Sequence, residues 1–253
     1  MKIAAIAINT FREAVRDKVL YSLLFFALGL IAASVALNRL AIGQQARIIT
    51  DLGLASISIF GTLIAIFVGI GLVSKEIERR TIFTILSKPV GRGRFLLGKY
   101  LGLILTLGVE VGIMGICFLG MVAFYTDGIV GPALVAIGLI FLELCVITAV
   151  ALLFSSFSTP FLSGLFTVAV WIIGHLTPDL REFGERAGGA TRLLTESLYL
   201  ALPNLAHFNL KAEVVHRLPI APVLVAEVTV YGLVYVALVL SAATLIFERR
   251  DFQ

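Results

Sequence analysis

Six long apolar runs mark the chain, at about Val19–Leu37, Leu52–Val73, Phe95–Tyr125, Pro132–Phe154, Pro160–Leu176 and Pro222–Phe247. The runs are continuous and do not alternate, so they predict helices and not the strands of a barrel. A helix needs roughly 20 residues to cross a bilayer, and the fifth run is the shortest of the six. Turn chemistry separates neighbouring runs, as in "TDGIVGP" at Thr126–Pro132 and "SSFSTP" at Ser155–Pro160. The expected fold class is all-α: a single membrane domain over residues 1–253 with six transmembrane helices.

Two segments outside the runs have patterns of their own. Over residues 1–18, Ile3, Ala7, Phe11 and Ala14 share one helical face, while Arg12, Glu13, Arg16 and Asp17 lie elsewhere. That predicts an amphipathic helix lying in the membrane interface. The loop at 177–221 begins polar and glycine-rich and then turns apolar, with Pro203 and Asn204 as a break. Two short amphipathic helices joined at Pro203 fit its second half, re-entrant-like between spans five and six. Lipid-exposed irregular backbone is not tolerated at depth, so any such element needs protein or water around it.

Composition supports the membrane reading. The chain is 59% hydrophobic and 14% charged, against roughly 25% charged for an ordinary soluble domain. From Gly128 to Pro178 the single formal charge is Glu143. The net charge of +4 therefore reads as topological charge and not as a nucleic-acid surface. With the N-terminus inside, thirteen Lys and Arg fall on the inner side and seven on the outer. The expectation is a multi-pass protein of the cell (inner) membrane with both termini cytoplasmic. Cys117 and Cys145 lie inside apolar runs without metal-ligand spacing, and read as small core residues.

"GRFLLGKY" at Gly93–Tyr100 nearly spells a phosphate-binding loop, but Tyr100 stands where the magnesium-binding hydroxyl belongs. No strand precedes it, since "TILSKPVGR" contains Pro89, and a membrane span follows. Lys99 at the end of a span predicts snorkelling to headgroups. Gly98 with Gly102, and Gly108 with Gly112, predict close helix approach. No nucleotide or other cofactor is expected on this chain.

The stretch "SKEIERRTIFTILSKPVGRGRFLLGKYLG" at Ser74–Gly102 is the most specific in the sequence. Ser74 can cap a short helix with Glu76 near its positive end, and Pro89 ends it. Exposed Ile and Phe on such a helix suit a protein partner; charges that serve topology and anionic lipid are the other reading of the same residues. Glu76, Ile77, Glu78, Arg80, Thr81, Leu86, Lys88, Pro89, Arg92, Gly98, Lys99 and Gly102 together resemble the cytoplasmic loop of ABC-2 type transporter permeases. The resemblance is greatest to the branch linked with copper-enzyme maturation, and it extends to the layout of spans and to "LPNLAHFN" at Leu202–Asn209. It implies a coupling helix at Glu76–Leu86, within a coupling loop at 74–94, docking on a separate ATP-binding subunit. Lys75, Glu76, Glu78, Arg79, Arg80, Phe83 and Leu86 would then contact that partner. It also implies two ATPase subunits and a second permease copy, identical or related, within membrane lipid, with no catalysis on this chain.

Carboxylates at bilayer depth are costly and often functional. Glu110 and Glu143 lie mid-span and are candidates for a transport path, with local pairing as the other reading. Glu227, close to the outer surface, reads as locally paired. His175, His207 and His216 have no fixed spacing as metal ligands, and three methionines offer little soft ligation for copper. Two functions remain: the permease of an ATP-driven exporter, or a stand-alone secondary transporter or channel using Glu110 and Glu143. A membrane hydrolase is disfavoured, because no H-E-x-x-H or G-x-S-x-G motif occurs.

Overall fold

The structure, a computed structural model, describes residues 2–38, 45–78, 91–125 and 129–249. Secondary structure among these residues is helical throughout. The elements are α1 (Lys2–Ala14), α2 (Lys18–Asn38), α3 (Gln45–Glu78), α4 (Arg92–Tyr125), α5 (Val130–Phe157) and α6 (Pro160–His175). Beyond them come α7 (Thr177–Ala187), α8 (Gly189–Ala201), a 3-10 turn (Leu205–Phe208), α9 (Lys211–Val215) and α10 (Pro222–Arg249).

Helix α5 is the axis of the bundle. It is apolar on all sides, which suits a helix surrounded by others, and it packs against α10, α3, α4 and α6. Its buried side chains, among them Ala133, Ile140, Leu144, Ile147 and Leu152, form the centre of the core. Helices α2 and α10 are more peripheral and turn Phe25, Phe26, Val230, Leu233 and Leu238 outward, as a lipid-facing surface does.

Five helices are individually long and apolar enough to cross a membrane: α2, α3, α4, α5 and α10. The expected fifth span differs. Helix α6 has 16 residues, and it makes a sixth span only together with α7, across a 65° bend. The bend has a local cause. Pro178 has no N–H to give the Gly174 carbonyl, and the Thr177 hydroxyl donates there at 2.9 Å and to the Ile173 carbonyl at 3.0 Å.

The far loop also differs from expectation. Its polar first half is itself a helix, α7, supported by the i,i+4 pairs Arg181–Glu185 and Glu182–Arg186. The hairpin joint is Gly188–Gly189, where φ is +66° and +58°, a backbone that glycine adopts at least cost. Pro203 lies in the joint between α8 and the 3-10 turn that follows it.

Candidate functional sites

Helix α1, the start of α4 and the last turns of α10 gather at one end of the bundle, here the near face. Helix α1 does more than lie in an interface: it packs along the first turns of α4. Gly98 and Gly102 make this possible. A Cβ on Gly98 would sit 2.7 Å from Ile6 Cβ, and one on Gly102 would sit 2.6 Å from the Ala7 carbonyl oxygen. Between the two glycines, Lys99 is buried, with 1% of its surface exposed. Its Nζ lies 3.8 Å from Glu13 Oε2 and 5.9 Å from the centre of the Phe95 ring. The expected snorkelling lysine is thus an internal partner of α1. A cation held inside a helix contact keeps its charge cheaply only beside a carboxylate, and Glu13 supplies one. The other glycine pair behaves differently. Gly108 makes ordinary contact with Phe141, and Gly112 faces open space.

The same turns of α4 also engage α10. A Cβ on Gly93 would meet Thr244 at 2.9 Å, and the Phe95 and Phe247 rings stack with centroids 6.2 Å apart. The start of α4 is therefore fixed on two sides, by the first helix and by the last.

Of the residues expected to contact a partner, the backbone of Lys75, Glu76 and Glu78 belongs to α3, which runs unbroken through Ser74 to Glu78. Ser74 therefore caps no separate helix. No Gly or Pro interrupts "VSKEIE", and Lys, Glu and Ile continue a helix readily. Arg79, Arg80, Phe83 and Leu86 lie outside the described residues.

The second site surrounds Glu143. Its carboxylate is 1% exposed and accepts a hydrogen bond from Trp171 Nε1 at 3.3 Å. His175 Nε2 lies 3.5 Å from the same oxygen, and its Nδ1 is 3.1 Å from the Trp171 carbonyl. Lys211 on α9 adds a positive charge within electrostatic reach of Glu143 and of Asp51 on α3. Burial pushes the Lys211 ammonium below its ordinary pKa, and the two carboxylates draw it back up. Helices α6 and α9 thus converge on one carboxylate of α5 near the bend between α6 and α7, and α3 joins them through Asp51 and Lys211. At 1.5 Å per residue, Glu143 stands about 21 Å above the near end of α5 and His175 about 22 Å above that of α6.

Glu110 is 3% exposed and shares no hydrogen bond with Glu143; neither of its oxygens has a hydrogen-bond partner among the described residues. Glu227 is exposed. The histidines go to separate places. His207 contacts Asn204 at 3.1 Å and stacks edge-on to Tyr231, while His216 is exposed. Trp171, His175 and Lys211 were not foreseen as neighbours of Glu143, nor Asp51 as a neighbour of Lys211. The signal available was the lone charge in a 51-residue run with a Trp and a His one helical turn apart.

Residues 4–252 match the family described as ABC-2 family transporter protein. The chain belongs to that family, and so is a multi-pass membrane subunit of an ABC transporter. Membership implies an ATPase partner, and membrane subunits of this family are generally non-catalytic. No curated protein matches the chain.

Proposed function

We propose that the protein is the permease of an ATP-driven exporter, with two permease copies, identical or related, joined to two ATPase subunits in the cell membrane. Both termini and the near face are cytoplasmic in this reading, and the loop at 74–94 is the coupling element. Lys75, Glu76, Glu78, Arg79, Arg80, Phe83 and Leu86 form its contact with the ATPase. The output is substrate export, or force passed to a partner on the far side.

One observation carries the coupling argument. Helix α4 leaves the loop already bound to α1 and α10 through Gly98, Gly102, Lys99–Glu13 and Phe95–Phe247. A push on the loop therefore moves three helices together and is not lost in a flexible joint. Packed interfaces shift between discrete arrangements and do not deform smoothly, which suits them to passing such a push on.

Capture of the cognate ATPase by purified permease tests this. Phe83→Ala should weaken capture by about 1–3 kcal/mol, the scale of an interface anchor, with membrane insertion unchanged. Charge reversal at Glu78 or Arg79 should mainly slow assembly and raise its salt sensitivity. Equal capture by all of these variants and the wild type overturns the coupling role. The stand-alone transporter draws support from Glu110, whose buried carboxylate lacks a hydrogen-bond partner among the described residues. Substrate flux in vesicles without any ATPase, abolished by Glu110→Gln, would favour it.

A further inference from the structure

The α7–α8 hairpin sits deep. The Ala201 carbonyl at the end of α8 accepts from the Tyr235 hydroxyl at 3.4 Å, and the Asn204 amide donates to the Tyr231 hydroxyl at 2.9 Å. Tyr235 and Tyr231 stand about 21 Å and 27 Å above the near end of α10. The end of α6 is pinned at a similar height, because a Cβ on Gly174 would meet the Pro203 carbonyl oxygen at 2.8 Å. A hydrocarbon core is about 30 Å thick, so the base of the hairpin lies in the half of the bilayer away from the near face.

The two faces of α8 differ. Leu193 and Leu194 lie on its outer face and are 71% and 64% exposed, and Leu200, at the edge between the two faces, is 78% exposed. The other face closes with α7 on a cavity of about 170 Å³, lined by Arg181, Glu185, Arg192, Thr195, Glu196, Tyr199 and Leu200. Gly184 abuts Thr195 at the floor, where a Cβ would land on its hydroxyl. Arg181 is committed already, to Glu185 at 3.3 Å and to the Tyr199 ring face at 5.1 Å. Arg192 and Glu196 are not. They are exposed, one turn apart on α8, and form no ion pair with any described residue.

We propose that this cavity holds the headgroup of a zwitterionic aminophospholipid, with Arg192 on the phosphate, Glu196 on the ammonium and the acyl chains along Leu193, Leu194 and Leu200. One guanidinium and one carboxylate separated by about 6 Å along a helix match a phosphate and an ammonium separated by two carbons. A guanidinium is the side chain best shaped for phosphate. The balanced charge of the lining disfavours a purely anionic lipid, whose headgroup would meet Glu196 unpaired. Leu200, one residue from that deep base, needs apolar cover, and lipid chains provide it. The placement in the outer leaflet rests on the proposed orientation; the recognition itself does not.

The test is native mass spectrometry of the full-length permease from nanodiscs of phosphatidylethanolamine and phosphatidylglycerol in equal parts. Wild type should retain phosphatidylethanolamine preferentially. Glu196→Gln should erase that preference, reducing retained phosphatidylethanolamine about tenfold, the scale of one charge-assisted hydrogen bond. Arg192→Gln should weaken both lipids, and Arg186→Gln, outside the cavity, should change neither. All three positions are exposed, so folding should survive, and thermal stability measured in parallel checks it. Absence of a headgroup preference in the wild type, or equal retention by the Glu196 and Arg192 variants and the wild type, overturns the proposal. So does efficient disulfide linking of two copies through Leu194→Cys, which would mean a second chain covers this face. ATPase capture is measured separately, so failure here leaves the coupling reading intact.

Discussion

Replacing Gly102 by alanine adds one methyl group at the closest contact between α1 and α4. Its Cβ would lie 2.5 Å from Thr10 Cβ and 2.6 Å from the Ala7 carbonyl oxygen. Neither atom is the end of a flexible side chain, so α1 itself must move outward by about an ångström. Overpacking of this kind costs about 1–3 kcal/mol. Alanine also returns up to about 1 kcal/mol of helix propensity relative to glycine. The net expectation is a loss of about 1–2 kcal/mol, or about 2–6 °C in apparent melting temperature for a chain of this size. Gly112→Ala is the matched control: it lies in the same helix, and nothing stands within 4 Å of its Cβ. It keeps the propensity gain without the clash, so it should be neutral or slightly stabilising. The assay is thermal unfolding in detergent, together with hydrogen exchange over residues 2–14, where protection of α1 should fall in Gly102→Ala alone. Equal stability and equal α1 protection in the two variants would refute the claim that these glycines exist to seat α1.

Two further outcomes follow. Trp171 is the protein's single tryptophan, so its fluorescence reports directly on Glu143. Glu143→Ala leaves the indole N–H without its acceptor and should shift the emission and cost about 1–3 kcal/mol of stability; an unchanged spectrum would contradict the hydrogen bond. For topology, a cysteine at Arg186 should react with an impermeant reagent from outside intact cells and one at Arg92 should not; the reverse pattern would invert the proposed orientation.

The spans were legible because bilayer thickness imposes a coarse constraint that single residues cannot override, and five helices answer it directly. The fifth expected run failed the length test by a few residues, and what completes it is a charged helix that no hydropathy window would join to it. That helix was readable in another register, through Arg and Glu at i,i+4, but a glycine-rich loop with Pro178 at its start suppresses the signal. Glu143 was legible as an anomaly, but its neighbours were not, since Trp171 and Lys211 meet it only through the bend after α6 and the return of the chain at α9.

Lys99 shows why the remainder was hidden. From sequence its position at a membrane boundary argues for snorkelling, and the two glycines beside it argue for close helix approach, which α1 fulfils. The snorkelling inference assumed that nothing but lipid covers the start of a span. Helix α1 covers it, and its Glu13 supplies the countercharge. The amphipathic pattern of residues 1–18 pointed to an interface, and half of that interface is protein. The apolar face that would suit a lipid surface suits a glycine-lined groove equally well, because both only have to exclude water. The close spacing of Gly98 and Gly102 distinguishes the two. A lipid surface has no need of missing side chains, whereas a helix backbone that approaches to contact distance does.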